Sequence, residues 1–229
     1  MRNLASLLFV SGLAFLLLVI AAQLGFGSPG MAISQPILDQ APGEVGAANI
    51  VTAILLGYRG IDTLGELSIL FAAATAAGLV LGHRRPEARR DPDAGFILRA
   101  GADLLFPLLL VVGLYIIVHG HLTPGGGFQG GVILAAAFFV TLLARPARGF
   151  SHAGISLIEG LAGAGFILLG LWALYAEGDF LKPLFGTGVM GELISAGSLP
   201  LLSMAVGLKV GAELAGLMAQ IADTETTES

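Results

Sequence analysis

Six stretches of this chain are apolar over roughly the length a helix needs to cross a bilayer, and that leaves few folds open. They are Leu4–Leu24, the run that starts at Glu66 and ends near Gly82, Phe96–Val118, Gly130–Ala144, Ala153–Tyr175 and Leu199–Ile221. At 1.5 Å per residue, about 20 residues span a hydrocarbon core of about 30 Å. Lipid offers no partners for free backbone N–H and C=O groups, so such segments cross as helices. The sequence therefore predicts an all-α, polytopic membrane protein with about six transmembrane helices. Composition agrees: 55% of residues are hydrophobic and 12% charged, about half the charged share of a soluble domain. The 34 glycines in 229 residues fit helices that approach closely, since packing in lipid relies on small side chains. Leu4–Leu24 follows Arg2 and holds a weak cleavage pattern near its end, at Ile20–Ala22, as a signal peptide would. Its length exceeds an h-region of roughly 7–15 residues, so it reads as a retained span.

Charge sets the topology. Gly25–Gly46 carries three prolines, Asp39 and Glu44 but no lysine or arginine, the composition of a loop on the non-cytoplasmic side. Ala47–Tyr58 is apolar yet only about a dozen residues long, too short to cross unaided, and reads as a re-entrant or partly inserted helix. The linker with Arg84, Arg85, Arg89 and Arg90 marks the cytoplasmic face, as do Arg145 and Arg148. Both termini then lie inside; if Ala47–Tyr58 crossed fully, the N-terminus would lie outside. This divides the chain into an N-terminal membrane unit (1–83), a basic linker (84–93), a four-span unit (94–222) and a polar tail (223–229).

Between the third and fourth spans runs His119-Gly-His-Leu-Thr-Pro-Gly-Gly-Gly-Phe-Gln-Gly-Gly131. Each helical glycine costs about 1 kcal/mol and a proline about 3 relative to alanine, so this segment reads as a loop. Without charged side chains other than its histidines, it is expected to pack against protein rather than face lipid. Phe128 would anchor it and Gln129 would hydrogen-bond its backbone. His119 and His121, two apart with no cysteine or carboxylate nearby, fall short of a metal ligand set and read as packing or as a protonatable gate.

Ionisable groups inside spans are costly and default to functional hypotheses. Glu66 has Asp62 at i−4 and Arg59 just before the span. It reads either as a proton or cation relay steadied by Arg59, or as half of a capping box with Thr63. Lys209 sits near mid-span with Glu213 at i+4, which is either a self-neutralising pair or a proton-shuttling one. Glu159 lies on a helix face with Gly163 and Gly170 narrow enough to admit a neighbour, and is expected to reach Lys209 across helices. Asp103 has Arg99 at i−4 as an interfacial partner, and Pro107 predicts a kink there. Trp172 and Tyr175 read as interfacial anchors.

Several classes fall away. The net charge is −5, and the one arginine-rich linker does not resemble a nucleic-acid surface, so no nucleic-acid partner is expected. The absence of cysteine removes disulfides, thiolate nucleophiles and iron–sulfur ligation. Pro124-Gly-Gly-Gly127 is no phosphate loop, because no Gly-Lys-Ser/Thr follows. No enzyme site and no cofactor are expected.

The glycine segment, with His119, His121, Pro124, Gly125, Gly126, Gly127, Phe128, Gln129, Gly130 and Gly131, resembles the signature of the B subunit of multi-subunit Mrp-type Na⁺/H⁺ antiporters (MnhB-like), over roughly Asp93–Asp223. A second motif, Arg59-Gly-Ile-Asp-Thr-Leu-Gly-Glu66, resembles the C-terminal part of the large A subunit of those antiporters, also found as a small subunit of membrane-bound hydrogenases. The resemblance implies a subunit of a monovalent cation/proton antiporter in a prokaryotic plasma membrane. Its expected partners are large complex I-like subunits, a small ND4L-like subunit, Na⁺ and H⁺, and the bilayer. It also implies an ion path through Glu66, Asp62, Arg59, Lys209, Glu213 and Glu159, by analogy with the Lys–Glu relays of complex I-like machinery. The alternatives are a membrane-arm subunit of a hydrogenase or related redox-driven pump, and an assembly scaffold without a proton path.

Overall fold

The computed structural model describes residues 2–23, 32, 34–81, 94–146 and 152–225. The basic linker at 84–93 and the end of the tail at 226–229 lie outside the described residues. Helices run in the order α1 (Arg2–Gln23), α2 (Ser34–Val45), α3 (Ile50–Thr52), a π-helix (Ala53–Tyr58), α4 (Gly60–Leu81), α5 (Phe96–Val118), α6 (Gly127–Ala144), α7 (His152–Glu177) and α8 (Leu199–Glu225). Six of them (α1 and α4–α8) are long and apolar enough to cross a membrane, so the all-α polytopic expectation holds. By contacts the chain forms two units, 1–39 and 40–229. The first holds α1, almost all of whose described side chains are exposed. The second holds everything described below.

Two segments differ from expectation. Part of the outer segment 25–46 is helical, as α2, with Pro36 in its first turn and Pro42 inside it. A proline near a helix start loses no intrahelical bond, because the first N–H groups have no partner anyway. At the other end, α8 continues to Glu225, so the first residues of the expected tail, Asp223–Glu225, are helical. The element at 50–58 is short, as expected: α3 passes into a π-helix, in which Arg59 N–H donates to Ile54 C=O at 2.8 Å. Such a length covers at most half of a ~30 Å core.

α8 is the hub, touching α4, α5, α6, α7 and the π-helix. Of its span 61% is buried, against 17% for α5 and 11% for α4. Its inner stripe is Leu199, Leu202, Ser203, Val206, Gly207, Val210 and Gly211, spaced i, i+3, i+4, i+7. Glycines decide how closely α6 lies on it. A Cβ at Gly127 would stand 2.5 Å from Ser203 O, and one at Gly131 would stand 2.7 Å from Gly207 O. Two backbones meet there, as small residues four apart allow in lipid. On its other face α6 meets α5, where a Cβ at Gly113 would stand 2.8 Å from Leu134 Cδ2. α5 runs as one helix through Pro107.

Candidate functional site

The glycine segment is not all loop. Only 119–126 connects α5 to α6; from Gly127 onward the motif is helix. Gly127, Gly130 and Gly131 are buried at helix contacts, and the packing gained there offsets their poor propensity. The turn itself rests on Gly125 and Gly126, with φ of +146° and +142°, where a side chain would be strained.

Asn49 fastens this connection to the N-terminal part of the same unit. Its Nδ2 donates to Gly120 O (2.8 Å) and Thr123 O (2.9 Å), and its backbone N–H donates to His121 O (3.0 Å). Its Oδ1 accepts from Val51 and Thr52 N–H, capping α3. Thr52 Oγ1 adds a bond to Gly120 O at 2.6 Å, and Ser203 Oγ one to Ile117 O at 3.0 Å. Each hydroxyl adds a second donor to a carbonyl near the end of α5: Gly120 O already accepts from Asn49, and Ile117 O from the Gly120 N–H at 3.3 Å. Sequence reading missed Asn49, Thr52 and Ser203; an asparagine just ahead of an apolar run is a cap signal that would have found the first.

The histidines part company. His119 stacks on Tyr115 at 4.1 Å between ring centroids, with Nδ1 3.0 Å from Tyr115 O. His121 is fully buried and its ring nitrogens have no hydrogen-bond partner. The backbone of Glu192, Leu193 and Val118 lies against it. Burial pushes its pKa below the usual value, the charge of His119 adds to this, and the neighbouring backbone opposes it. Among the described residues no cluster of three or more His, Cys, Asp or Glu is arranged to hold a metal. Gln129 is exposed, and no hydrogen bond from its side chain to the loop backbone is found.

Lys209 is the centre of the charged site. Its Nζ lies 3.3 Å from Glu159 Oε1, on α7, and 3.3 Å from Glu213 Oε2, one turn along α8. It also stands 4.9 Å from the ring centroid of Phe71, on α4. Gly163 of α7 faces the lysine stem, where a Cβ would stand 3.4 Å from Lys209 Cδ, in ordinary van der Waals contact. The expected cross-helix Glu–Lys–Glu set is thus assembled. Glu213 is the most deeply placed of the three, at 4% exposure, and neither of its oxygens accepts a hydrogen bond.

The Arg59–Glu66 motif is arranged differently from expectation. Arg59 Nε donates to Asp62 at 2.6 Å and does not reach Glu66. Arg59 and Asp62 stand at i and i+3, which puts both on one side of the first turn, whereas Glu66 lies a further turn along. Nor does Thr63 cap α4: its hydroxyl donates to Leu55 O at 2.7 Å, a carbonyl of the π-helix. Thr63 lies three residues inside a helix that starts at Gly60, so it is too far along to cap it. Glu66 is exposed on the membrane-crossing part of α4, as are Gly65 and Ile69. Beside this motif Tyr58 donates to Glu44; burial first and that carboxylate second push the phenol up to about 12. Asp103 pairs with Arg145 at 2.7 Å, across helices, rather than with Arg99.

Comparison with known proteins gives a consistent picture. Residues 97–216 match the family described as a domain related to the MnhB subunit of Na⁺/H⁺ antiporter. Residues 5–91 match the family of the E subunit of MBH. An uncharacterized protein of Methanocaldococcus jannaschii is 33% identical over 198 residues, covering 74% of each chain. A probable A/B subunit of a K⁺/H⁺ antiporter of Rhizobium meliloti is 29% identical over 141 residues, 51% of this chain but 14% of that much longer one. Among solved structures, a chain of the membrane-bound sulfane sulfur reductase, an archaeal respiratory membrane complex, superposes with a TM-score of 0.79 at 35% identity, covering 96% of this chain and 97% of that one. A chain of the Mrp complex from Dietzia sp. superposes with a TM-score of 0.75 at 26% identity, covering 98% of this chain and 26% of that one.

Proposed function

Because the chain belongs to the MnhB-related family of Na⁺/H⁺ antiporter subunits, we propose that it serves as a membrane subunit of a multi-subunit monovalent cation/proton antiporter in a prokaryotic plasma membrane. The observation that carries the reading is Lys209 with Glu159 and Glu213. Two carboxylates and one ammonium inside membrane-crossing helices leave an unbalanced negative charge, and charge at bilayer depth is costly enough that it is kept mainly where ions or protons move. Glu66 supports the same reading from outside. A carboxylate exposed on a spanning helix needs a partner, so this face of α4, with Asp62 and Arg59 at its start, is assigned to a neighbouring antiporter subunit, of the large complex I-like or the small ND4L-like kind. The buried glycines of the MnhB-like signature hold α5, α6 and α8 together and keep the charged helix in register.

The sulfane sulfur reductase likeness favours a second reading, in which the same chain serves the membrane arm of a redox-driven ion pump. Purification of the tagged chain in mild detergent, with mass spectrometry of co-migrating proteins, separates the two. Antiporter subunits without redox proteins support exchange; nickel–iron or iron–sulfur subunits in the same band move the chain to the pump. In vesicles holding the antiporter complex, Lys209→Met should abolish Na⁺-dependent collapse of a pH gradient while the complex still assembles, and retained exchange would sink the relay.

A further inference from the structure

Between α4, α7 and α8 lies a cavity of about 400 Å³ onto which Glu213 opens. Its other polar or narrowing walls are Thr75 and Gly78 of α4, Ser156 and Glu159 of α7, and Gln220 of α8. Position along the helices gives its depth. Gly78 and Gln220 lie near the ends that face the arginine-rich side, and they meet closely: a Cβ on Gly78 would stand 2.5 Å from Gln220 Oε1. Glu213 lies seven residues further up α8, about 10 Å at the helical rise. Lys209, with Phe71 beside it, stands one turn beyond. The cavity thus extends along these helices from the narrow Gly78–Gln220 contact to the charge cluster.

A void many times the ~30 Å³ share of one water, walled by carboxylates, hydroxyls and an amide, takes up water. Glu213 is 4% exposed, and the Lys209 ammonium, 3.3 Å from Oε2, is the polar side chain that meets it. The charged groups facing it are Lys209 on its own helix and Glu159 on α7, while α4 presents Phe71 and Thr75. One ammonium is shared by two carboxylates, so one negative charge is left uncompensated. Hydroxyl, amide and carboxylate oxygens are hard donors, suited to hard cations and their hydration shells.

We propose that this cavity is an inward-facing vestibule that loads one monovalent positive charge onto Glu213, either an alkali-metal ion or the proton that competes with it for the same carboxylate. The proposal deepens the transport reading above and rests on it for its purpose, though not for its geometry. The vestibule is composite: α4 belongs to the part matched by the family of the MBH E subunit, and α7 and α8 to the part matched by the MnhB-related family.

The chain has no cysteine, so Thr75→Cys and Ser156→Cys each place one thiol on this wall. In the assembled complex in inside-out vesicles, modification of this chain by a cationic and an anionic methanethiosulfonate reagent is followed by mass spectrometry. A negatively charged, water-filled cleft should favour the cationic reagent by roughly ten-fold or more, and Glu213→Gln should erase that preference. Leu110→Cys, in an apolar groove, should react with neither. Exchanging N-methylglucamine for Na⁺ at fixed pH slows cationic modification if an alkali ion loads; acidification without Na⁺ slows it if only a proton does. Equal rates for the two reagents overturn the vestibule. So does a preference that survives Glu213→Gln, or one that neither Na⁺ nor pH alters. Absence of any preference in a Thr75→Cys or Ser156→Cys complex that still exchanges cations defeats the vestibule alone. Redox partners in the purified complex defeat the antiporter reading and leave the labelling result intact.

Discussion

Lys209 shows what one side chain decides. Its Nζ stands between Glu159 and Glu213 with 12% of the side chain exposed, and breaking a buried pair by removing one partner costs about 3–5 kcal/mol because the remaining charge is stranded. Lys209→Met should therefore lower stability in detergent by that order, whereas Lys209→Met combined with Glu213→Gln should recover much of it; a denaturant or thermal double-mutant cycle checks the coupling. A second residue-scale test concerns His121 at the outer connection. Burial lowers its pKa below the unfolded value of 6.5, so the unfolded chain binds the proton more readily and stability rises with pH. The contribution is fully present above pH 6.5 and is lost as pH falls from there toward the folded pKa. Melting temperature should drop between pH 7.5 and 5.5 in the wild type and drop less in His121→Gln. Spacing alone foretold Lys209 with Glu213, since residues four apart share a helix face. It misassigned Arg59 and Asp103, because a flexible arginine chooses among all carboxylates within reach, and Arg145 reaches Asp103 only once α5 and α6 are packed.

At the scale of elements, the pairing of α6 with α8 carries the second unit. Gly127→Ala and Gly131→Ala each drive a methyl into opposing backbone, at 2.5 Å and 2.7 Å. Backbone cannot swing aside, so each should cost about 1–3 kcal/mol and reduce the yield of folded protein in a detergent size-exclusion assay. Gly65, on the exposed face of α4, has nothing within 4 Å of a would-be Cβ. Gly65→Ala should stabilise the isolated chain by up to about 1 kcal/mol through helix propensity. If a partner helix lies against that face, the same change should weaken co-purification of the complex; unchanged recovery would remove the partner from that face. The helices were legible because apolar runs of membrane length admit one secondary structure. The glycine motif was misjudged as loop to residue 131, because propensity measures an isolated helix and tertiary packing overrides it where glycines let backbones meet. α2 was missed because its prolines mark a loop by composition; Pro36 is tolerated in the first turn, while Pro42 stands inside the helix.

For the whole molecule, the sequence alone determined that six helices are long and apolar enough to cross a membrane among the described residues, which ionisable side chains fall within them, and, through two long motifs, which family the chain belongs to. These follow from local chemistry: the length of an apolar run, the cost of a buried charge, and a run of residues distinctive enough to match. Tertiary structure decided the rest. It drew Glu159 to Lys209, placed α4 as the wall of a cavity ending at Glu213, left Glu66 facing outward and closed Asn49 over the α5–α6 connection. Each of these joins residues tens of positions apart on different helices, and no pattern along one helix states which neighbour its faces will meet. In lipid that choice falls to small-residue packing and to the pairing of buried charges, both of which are properties of two surfaces together.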